Sequence, residues 1–263
     1  MTGTERGRWG RFALLLALTA IILAPVLVTV WRAITPSGDG PGGLAGIVGS
    51  FLAVFQNPAV ITWFRNSLMV TAATVVVTVL VAAPAGYVLS RGRGRGVTTF
   101  ALAIFALQAL PIVLFLVPLF VIFAGLGLVD NLVGLTLVYI GLAVAVAVWT
   151  MGTAFDSIPV DLEEAAWLDG CSILRAFIRV VLPNSMPGVL STAVFTFLLA
   201  WNDYWMAVVF IRSDVNYTVG IGLSSAGGWP ALSVVAMVPP LLVFAVFHRY
   251  FSFGGVSGAL AGT

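Results

Sequence analysis

The sequence contains no lysine, and other chemically versatile side chains are scarce. All twelve basic residues among its 263 are arginine, and there is one histidine and one cysteine. Without lysine the chain cannot form the phosphate-binding loop of an ATPase, in which a lysine reaches the terminal phosphates. The single Cys171 excludes an internal disulfide. The sequence therefore predicts that any ATP hydrolysis linked to this chain takes place on another subunit.

Charged side chains of either sign are also rare. They make up 8% of the residues, whereas 60% are hydrophobic, and soluble domains usually carry about 25% charged residues. So few charges could not cover a surface in water, so lipid must be the main solvent for much of the chain. The net charge is only +2, which argues against a nucleic-acid partner. We therefore predict an all-α integral membrane protein.

Residue patterns typical of an active site are missing. The sequence has no HExxH metal box, no GxSxG nucleophile elbow and no CxxC pair. The lone His248 stands beside Arg249 near a predicted helix end, where an interface or surface role competes with a catalytic one. We expect no catalytic, cofactor or metal site, which disfavours a membrane-embedded enzyme. One intramembrane acid and no visible repeat also disfavour a secondary transporter.

Six segments approach the length of about 20 apolar residues that a bilayer core requires. The first starts with basic residues like a signal peptide, but its apolar run continues to Trp31 and is too long for a signal. A polar stretch, residues 156–183, separates the fourth segment from the fifth and is too charged to cross. The predicted spans are residues 12–34, 68–89, 98–123, 132–155, 186–211 and 230–247.

Arginine placement predicts the orientation, because cytoplasmic loops hold the excess of positive charge. With the N-terminus inside, nine arginines face the cytoplasm and three, Arg32, Arg65 and Arg212, face outside. Six spans then leave both termini in the cytoplasm. The nine inner arginines are Arg6, Arg8, Arg11, Arg91, Arg93, Arg95, Arg175, Arg179 and Arg249.

Alternating arginine and glycine occupy residues 91–96, between the second and third predicted spans. One hypothesis is a lipid-binding or nucleotide-binding segment. The simpler interpretation is a flexible turn, because its glycines interrupt both helices and orientation alone explains its charges. We favour the turn.

The polar stretch begins with the features of a short helix. Ser157 is positioned to cap it, and Pro159 is tolerated in a first turn. Asp161, Glu163 and Glu164 would lie where the helix dipole favours negative charge. Gly170 can adopt the left-handed conformation that ends a helix. A second helix, over about residues 172–181, then leads to Leu182 and Pro183.

This stretch resembles the EAA motif of binding-protein-dependent importer permeases, whose pattern is E-A-A-x3-G-x9-I-x-L-P. Glu164-Ala165-Ala166 is followed after three residues by Gly170 and after nine more by Val180-Val181-Leu182-Pro183, with Val180 in place of isoleucine. We call residues 156–183 the EAA loop. The resemblance implies that the loop couples to an ATPase through Pro159, Glu163, Glu164, Ala165, Ala166, Asp169, Gly170, Leu182 and Pro183.

Other segments are similar to the maltose-importer (MalG) type of sugar permease. They are Gly86-Tyr87-Val88-Leu89-Ser90-Arg91, Ile158-Pro159, Asp169-Gly170, Trp201-Asn202-Asp203 and the tail from Gly254 to Ala259, although the final Ala261-Gly262-Thr263 lacks the usual basic ending. The likeness implies a type I importer fold, with residues 1–64 as an N-terminal helix and outer loop and residues 65–263 as the core.

The same resemblance implies the partners. They are a second permease, two ATP-binding subunits that hold ATP and Mg²⁺, and an extracytoplasmic solute-binding protein, at a bacterial plasma membrane. The expected solute is a carbohydrate. A glycerol phosphate ester, a polyamine or an amino acid is the alternative.

A polar and aromatic cluster interrupts the fifth predicted span. An aspartate at the membrane centre costs about 2.5–3.5 kcal/mol, so Asp203 should face protein or water. In a continuous helix Trp201, Tyr204 and Trp205 would share a face, and with Asn202 they could bind a sugar along the substrate path. The alternative is an aromatic belt at the outer interface with a structural aspartate.

Overall fold

A computed structural model describes residues 3–35, 43–109, 111 and 113–251, and these ranges contain helices and no strand. The all-α prediction is therefore confirmed for the described chain. The tail from residue 252, which carries part of the permease resemblance, lies outside the described residues. The longer helices are α1 (Gly3–Ile34), α2 (Leu44–Gln56), α3 (Pro58–Arg91), α4 (Arg95–Ala109), α5 (Val113–Gly125) and α6 (Leu132–Asp156).

The elements that follow α6 are mostly short, apart from two longer helices. They are α7 (Asp161–Leu168), α8 (Ile173–Ala176), a π-helical turn (Phe177–Val181), α9 (Leu182–Asn184), α10 (Met186–Asn202), α11 (Trp205–Phe210), a 3₁₀ turn (Asp214–Asn216), α12 (Val219–Ser225) and α13 (Pro230–Phe251). Within the described residues, four helical stretches are long and apolar enough to cross a bilayer: Arg11–Ile34, Pro58–Arg91, Leu132–Asp156 and Pro230–His248. They contain four of the six predicted spans.

The predicted span over residues 98–123 is wrong as a continuous helix. The chain forms α4 and α5 instead, with Pro111 between them. Proline lacks the N–H that a helix needs, and its ring clashes with the preceding turn. The carbonyl of Pro111 then accepts a hydrogen bond from the Leu114 N–H at 3.0 Å. The break thus ends one helix and helps to begin the next.

The predicted span over residues 186–211 is also interrupted. It begins at a 77° bend between the stretch Ile173–Asn184 and α10. It stops at Asn202, because Asp203 has an extended backbone with φ −71° and ψ 134°. Its carboxylate oxygen Oδ2 accepts hydrogen bonds from the N–H groups of Met206 and Ala207, at 3.0 and 3.1 Å. The aspartate therefore begins α11 rather than continuing α10.

Two compact units divide the chain. One comprises Met1–Ile61 and Leu223–Val238, and the other comprises Thr62–Gly222 and Pro239–Thr263. In the second unit α6 runs through two buried clusters. One packs Ala82, Met151, Phe155, Phe177 and Val181 near the end of α6, and the other packs Val70, Leu135, Tyr139, Phe210 and Ile221 near its start.

One face of α3 consists of small and hydroxyl side chains. Ser67, Thr71, Thr74, Thr78 and Ala82 recur at helical spacing, and each is at most 5% exposed. The Thr74 hydroxyl donates to the Val70 carbonyl at 2.8 Å, so its polar group stays satisfied. Small side chains let helices approach closely in a membrane, where packing replaces the hydrophobic driving force. α3 is thereby suited to close packing along most of its length.

Gly86 continues this face near the end of α3. A Cβ atom at position 86 would lie 2.7 Å from the Cβ of Met151 and 2.9 Å from the backbone nitrogen of Gly152. Only glycine fits at this separation from α6. The contact fixes the last turn of α3 beside the end of α6, and it places Tyr87, Ser90 and Arg91 next to the EAA loop.

Candidate functional site

The short helix predicted in the EAA loop is α7, and its end forms as expected. Gly170 has φ +82°, the left-handed conformation that glycine adopts without penalty. The Gly170 N–H donates to the Trp167 carbonyl at 3.0 Å, and the Cys171 N–H donates to the Ala166 carbonyl at 2.9 Å. These two bonds form a Schellman motif. The predicted role of Gly170 as a helix end is confirmed.

The start of α7 differs from the prediction. Ser157 does not cap it, because the Ser157 hydroxyl donates to the Ala154 carbonyl at 2.6 Å and ends α6 instead. α7 begins after Val160 with no side-chain cap. Asp161, Glu163 and Glu164 occupy its first turn as expected. The acids rather than a cap therefore interact with the dipole at this end.

Glu163 is the buried residue of α7 and it binds within the chain. Its Oε1 atom lies 2.6 Å from Nε of Arg91, with the Glu163 side chain fully buried and that of Arg91 17% exposed. Its Oε2 atom accepts a hydrogen bond of 2.6 Å from the Tyr87 hydroxyl. Both carboxylate oxygens are thus engaged by the last turn of α3. Glu163 therefore attaches α7 to α3, and its charge is not presented at the protein surface.

Arg91 makes further contacts that attach the EAA loop to α3. Its Nη2 group donates to the Ile158 carbonyl at 2.8 Å, and its Nη1 group donates to the Ser90 hydroxyl oxygen at 3.0 Å. The Ser90 hydroxyl in turn donates to Oδ1 of Asp156 at 2.5 Å. We call Tyr87, Ser90, Arg91, Asp156 and Glu163 the loop anchor. Orientation alone does not explain the arginine-rich turn, because Arg91 is part of this anchor.

The other predicted coupling residues of α7 lie at the surface. Pro159, Glu164, Ala165, Asp169 and Gly170 are exposed, and Ala166 is half-buried. Leu168 is 90% exposed, which is unusual for leucine in a polar loop. We call these residues the outer face of α7. This face is small, partly acidic and partly apolar, and most of it is exposed, whereas Glu163 of the loop anchor is buried.

The second half of the EAA loop joins α7 to α10. The Ser172 hydroxyl accepts from the Arg175 N–H at 3.4 Å and caps α8. Phe177 and Val181 enter the buried cluster at the end of α6, Leu182 packs against that cluster, and Pro183 is exposed. The 77° bend follows at once. The stretch Ile173–Asn184 therefore connects α7 to α10, and Phe177 and Val181 attach it to the buried cluster at the end of α6.

The polar and aromatic cluster does not form one face. Trp201 is 7% exposed and stacks on Phe197 with 5.7 Å between ring centroids, whereas Trp205 is 73% exposed. Asn202 is exposed and Tyr204 is half-buried. The break at Asp203 separates Trp201 from Trp205, whereas the rings of Tyr204 and Trp205 stay in contact with 5.6 Å between their centroids. The prediction that Trp201, Tyr204 and Trp205 share a face is therefore wrong.

Asp203 itself is held by protein. Besides starting α11, its Oδ2 atom accepts a hydrogen bond of 2.9 Å from the hydroxyl of Tyr139, and Tyr139 is 1% exposed. This arrangement matches the structural alternative for the aspartate. Tyr139 carries no sequence motif, so this partner could not be found from the sequence.

A second polar network, missed by the sequence analysis, joins Asp130, in the loop between α5 and α6, to the loop after α11. Oδ1 of Asp130 accepts hydrogen bonds from the N–H groups of Arg212 and Ser213 at 3.0 and 2.9 Å, and from the Ser213 hydroxyl. Partial desolvation favours a higher pKa for the Asp130 carboxyl, but these bonds and one from Asn216 outweigh it and lower the pKa to about 2. Asp130 therefore stays ionised and ties two loops together.

Comparison with known proteins agrees with this geometry. The family model described as "Binding-protein-dependent transport system inner membrane component" matches residues 79–254. The chain is 32% identical over 210 residues to the inner membrane ABC transporter permease protein YcjP of Escherichia coli, covering 77% of this chain and 75% of that one. It is 30% identical over 209 residues to the diacetylchitobiose uptake system permease protein DasC of Streptomyces coelicolor, covering 76% of each.

A solved structure shares the fold. It is a crystal structure of a bacterial ABC transporter involved in the import of the acidic polysaccharide alginate, with a TM-score of 0.74 and 22% identity over 95% of this chain and 99% of that one. The family model includes the whole EAA loop and every residue of the loop anchor. The chain belongs to the family of inner membrane components of binding-protein-dependent transport systems.

Proposed function

We propose that the chain is one of two permease subunits in an ATP-driven importer of the bacterial plasma membrane. With the second permease it forms the path for a solute that an extracytoplasmic binding protein delivers. Two ATP-binding subunits hydrolyse ATP, and they rather than this chain bind ATP and Mg²⁺. The observation that supports this most directly is that the outer face of α7 is exposed, while the contact between Arg91 and the buried Glu163 attaches the same helix to α3.

The outer face of α7 is suited to receive another protein. Leu168 on this face is 90% exposed, and Ile173 and Leu174 of α8, later in the same loop, are 63 and 66% exposed. Clustered exposed apolar side chains mark protein-binding surfaces. Glu164 adds a negative charge and Ala165 permits close approach. Because the loop anchor fixes α7 to α3, a push on this face moves the helices as a body. That is how closure of the ATPase would reshape the path.

The proposed topology has six spans with both termini in the cytoplasm. α4 and α5 would together form one broken span, and α10 would be the fifth. This places the loop anchor and the EAA loop inside and Asp130 outside. Single cysteines at positions 94 and 214, in a Cys171→Ser background, test the arrangement. An impermeant maleimide applied to intact cells should label position 214 and spare position 94, and the reverse pattern would contradict the topology.

A carbohydrate is the proposed solute. DasC belongs to a diacetylchitobiose uptake system, and the transporter with a similar fold imports a polysaccharide. The exposed Asn202 and Trp205 offer an amide and an aromatic ring of the kind that binds sugars, and both belong to the proposed substrate path. A glycerol phosphate ester, a polyamine or an amino acid remains the alternative, since the same architecture would serve it.

Coupling is tested with Glu164→Lys. The residue is exposed, so the variant should insert and fold normally, but a cation on the outer face of α7 should repel a basic partner surface. We expect loss of the co-purified ATPase and of solute uptake. Asp214→Lys, an acid-to-lysine change in the 3₁₀ turn outside the EAA loop, is the control. Full ATPase retention and full uptake in Glu164→Lys would refute the docking role.

The solute class is tested separately from coupling. The chain is expressed with the permease, ATPase and binding protein encoded beside it, and uptake of labelled oligosaccharides is compared with uptake of amino acids, a polyamine and a glycerol phosphate ester. Oligosaccharide uptake that needs the binding protein is expected. Uptake of another class alone would overturn the carbohydrate assignment and leave the permease assignment standing.

A further inference from the structure

Two arginines of the turn between α3 and α4 have no role in the loop anchor. Arg93 and Arg95 are both exposed. The Nη1 group of Arg93 donates to the backbone carbonyls of Ser90 and Gly92, at 3.2 and 3.1 Å. Within the described ranges the one ion pair is that of Arg91 with Glu163, so neither exposed arginine pairs with a described carboxylate. Two positive charges are therefore available to a ligand at this turn.

An apolar cavity of about 760 Å³ lies among α3, α4, α5 and α6, within the size range of pockets that hold small molecules. Its walls include Phe100, Ile104, Phe115, Leu137, Gly141 and Val148, and Gln108 is its one polar side chain. Phe100, Phe115 and Leu137 are each at least 40% exposed, so the cavity opens at the protein surface. In the proposed topology these helices lie in the membrane, so acyl chains can reach this opening.

The lining of the cavity is extended along the helix axes. Along α6 it runs from Leu137 to Val148, about 16 Å at 1.5 Å per residue, which is long enough to cover an acyl chain through about half of a hydrocarbon core of about 30 Å. Along α4, Arg95 precedes Phe100 by five residues, or about 7.5 Å. Each headgroup layer is about 5–7.5 Å thick. Arg95 thus lies at headgroup depth when Phe100 lies at the edge of the hydrocarbon.

We propose that this cavity and turn bind an anionic glycerophospholipid. One acyl chain occupies the cavity, and the phosphate group pairs with Arg93 and Arg95. Basic side chains at the mouth of an intramembrane pocket recognise acidic lipids, and the charges distinguish this occupant from an apolar helix of the second permease. The placement of the turn in the cytoplasmic leaflet, where acidic lipids concentrate, rests on the proposed topology. The geometry of the pocket does not depend on the solute.

The binding is tested on the full chain purified in detergent. Palmitoyl-oleoyl phosphatidylglycerol is titrated in, with phosphatidylcholine of the same chains as the neutral probe, and bound lipid is counted by native mass spectrometry. We expect tighter binding of phosphatidylglycerol. Each arginine contributes about fivefold in affinity, so Arg93→Gln with Arg95→Gln should weaken binding roughly 30-fold. The pair Arg175→Gln with Arg179→Gln, exposed arginines of the EAA loop, should leave it unchanged.

The cavity is tested with Gly141→Phe. A Cβ atom at Gly141 would meet nothing within 4 Å, so the larger side chain should fill the cavity without disturbing the fold. We expect loss of bound phosphatidylglycerol with an unchanged elution volume and circular dichroism spectrum. If this variant misfolds, Gly141→Leu replaces it.

Five results would overturn the proposal. Equal affinity for the two lipids, or unchanged binding in the arginine variant, would exclude headgroup recognition. Unchanged lipid binding in the filled cavity would exclude the acyl-chain site. Displacement of the lipid by millimolar inorganic phosphate would indicate a phosphate site instead. If Gly141→Phe no longer co-purifies with the second permease but still binds the lipid, the cavity belongs to that partner. None of these results bears on whether the chain is a permease.

Discussion

Replacement of Arg91 by leucine should release α7 from α3. The variant leaves the Glu163 carboxylate buried and without its cation, while the Tyr87 hydroxyl alone remains as a donor. Loss of one partner of a buried ion pair costs about 3–5 kcal/mol. The lower end applies here, because the Arg91 side chain keeps 17% exposure and its loss is partly offset by water. At about 1.4 kcal/mol per tenfold change, 3 kcal/mol corresponds to an opening equilibrium raised roughly 100-fold.

The cost should appear as local opening rather than as global unfolding. Glu163 can reach water if α7 alone detaches, and the buried clusters of α6 do not depend on it. Hydrogen exchange reports this directly at the N–H groups of Gly170 and Cys171, which donate to carbonyls of α7. We expect their protection to fall by roughly 100-fold, while amides in the middle of α6 stay protected. In Glu163→Gln the protection of these two amides should fall far less, because the glutamine side chain can still form hydrogen bonds with Tyr87 and Arg91.

Arg93→Leu is the matched control. It removes an exposed arginine from the same turn without touching Glu163, and exchange in α7 should stay at the wild-type rate. Combining Arg91→Leu with Glu163→Leu should recover most of the lost protection, since a buried pair can often be replaced by apolar residues at little cost. Protection within about threefold of wild type in Arg91→Leu would refute the anchoring role.

Three further predictions concern Gly170, Asp203 and Asp130. Gly170→Val should cost about 1–2 kcal/mol at its φ of +82° and reduce ATPase co-purification, whereas Gly170→Asn should be milder; equal yields from both would contradict the turn requirement. Asp203→Leu should lose about 1 kcal/mol with its cap on α11 and lower the melting temperature, and Asp203→Asn should not; equal melting temperatures would exclude the structural role. Hydrogen bonds to the ionised Asp130 carboxylate lower its pKa to about 2. They stabilise the loop contact fully at pH values above the ordinary aspartate pKa near 4, and this stability is lost as the pH falls through about 2. Exchange at the Ser213 N–H, corrected for its intrinsic rate, should rise between pH 5 and pH 2 in the wild type and stay level in Asp130→Asn.

Local signals of the sequence located α7 well. The acids of its first turn and Gly170 at its end each act within a few residues, so they determine the helix wherever it lies. The contact of Arg91 with Glu163 joins residues 72 positions apart, and each charge already had a local explanation, one in membrane orientation and the other in the helix dipole. Nothing in the sequence required the two residues to meet.

The breaks in the predicted spans were harder to predict for a related reason. Pro111 separates α4 from α5, yet Pro84 lies inside the continuous helix α3. Proline alone does not decide between a kink and a break, because neighbouring helices can satisfy the freed backbone groups. Asp203 likewise ends α10 with the help of Tyr139, a contact across 64 residues. At Asp203 the tertiary partner Tyr139 makes the difference.

The separation of Arg91 from Glu163 also sets an order of events during synthesis. A ribosome that adds about 5–20 residues per second needs about 4–14 s to travel the 72 residues between them. During that interval α4, α5 and α6 are synthesised, while Glu163, the carboxylate that pairs with Arg91, is still missing. The nascent chain therefore completes the loop anchor only after α6 has been synthesised. If an ATPase subunit recognises the anchored helix as proposed, it would bind only chains that have been synthesised beyond α6.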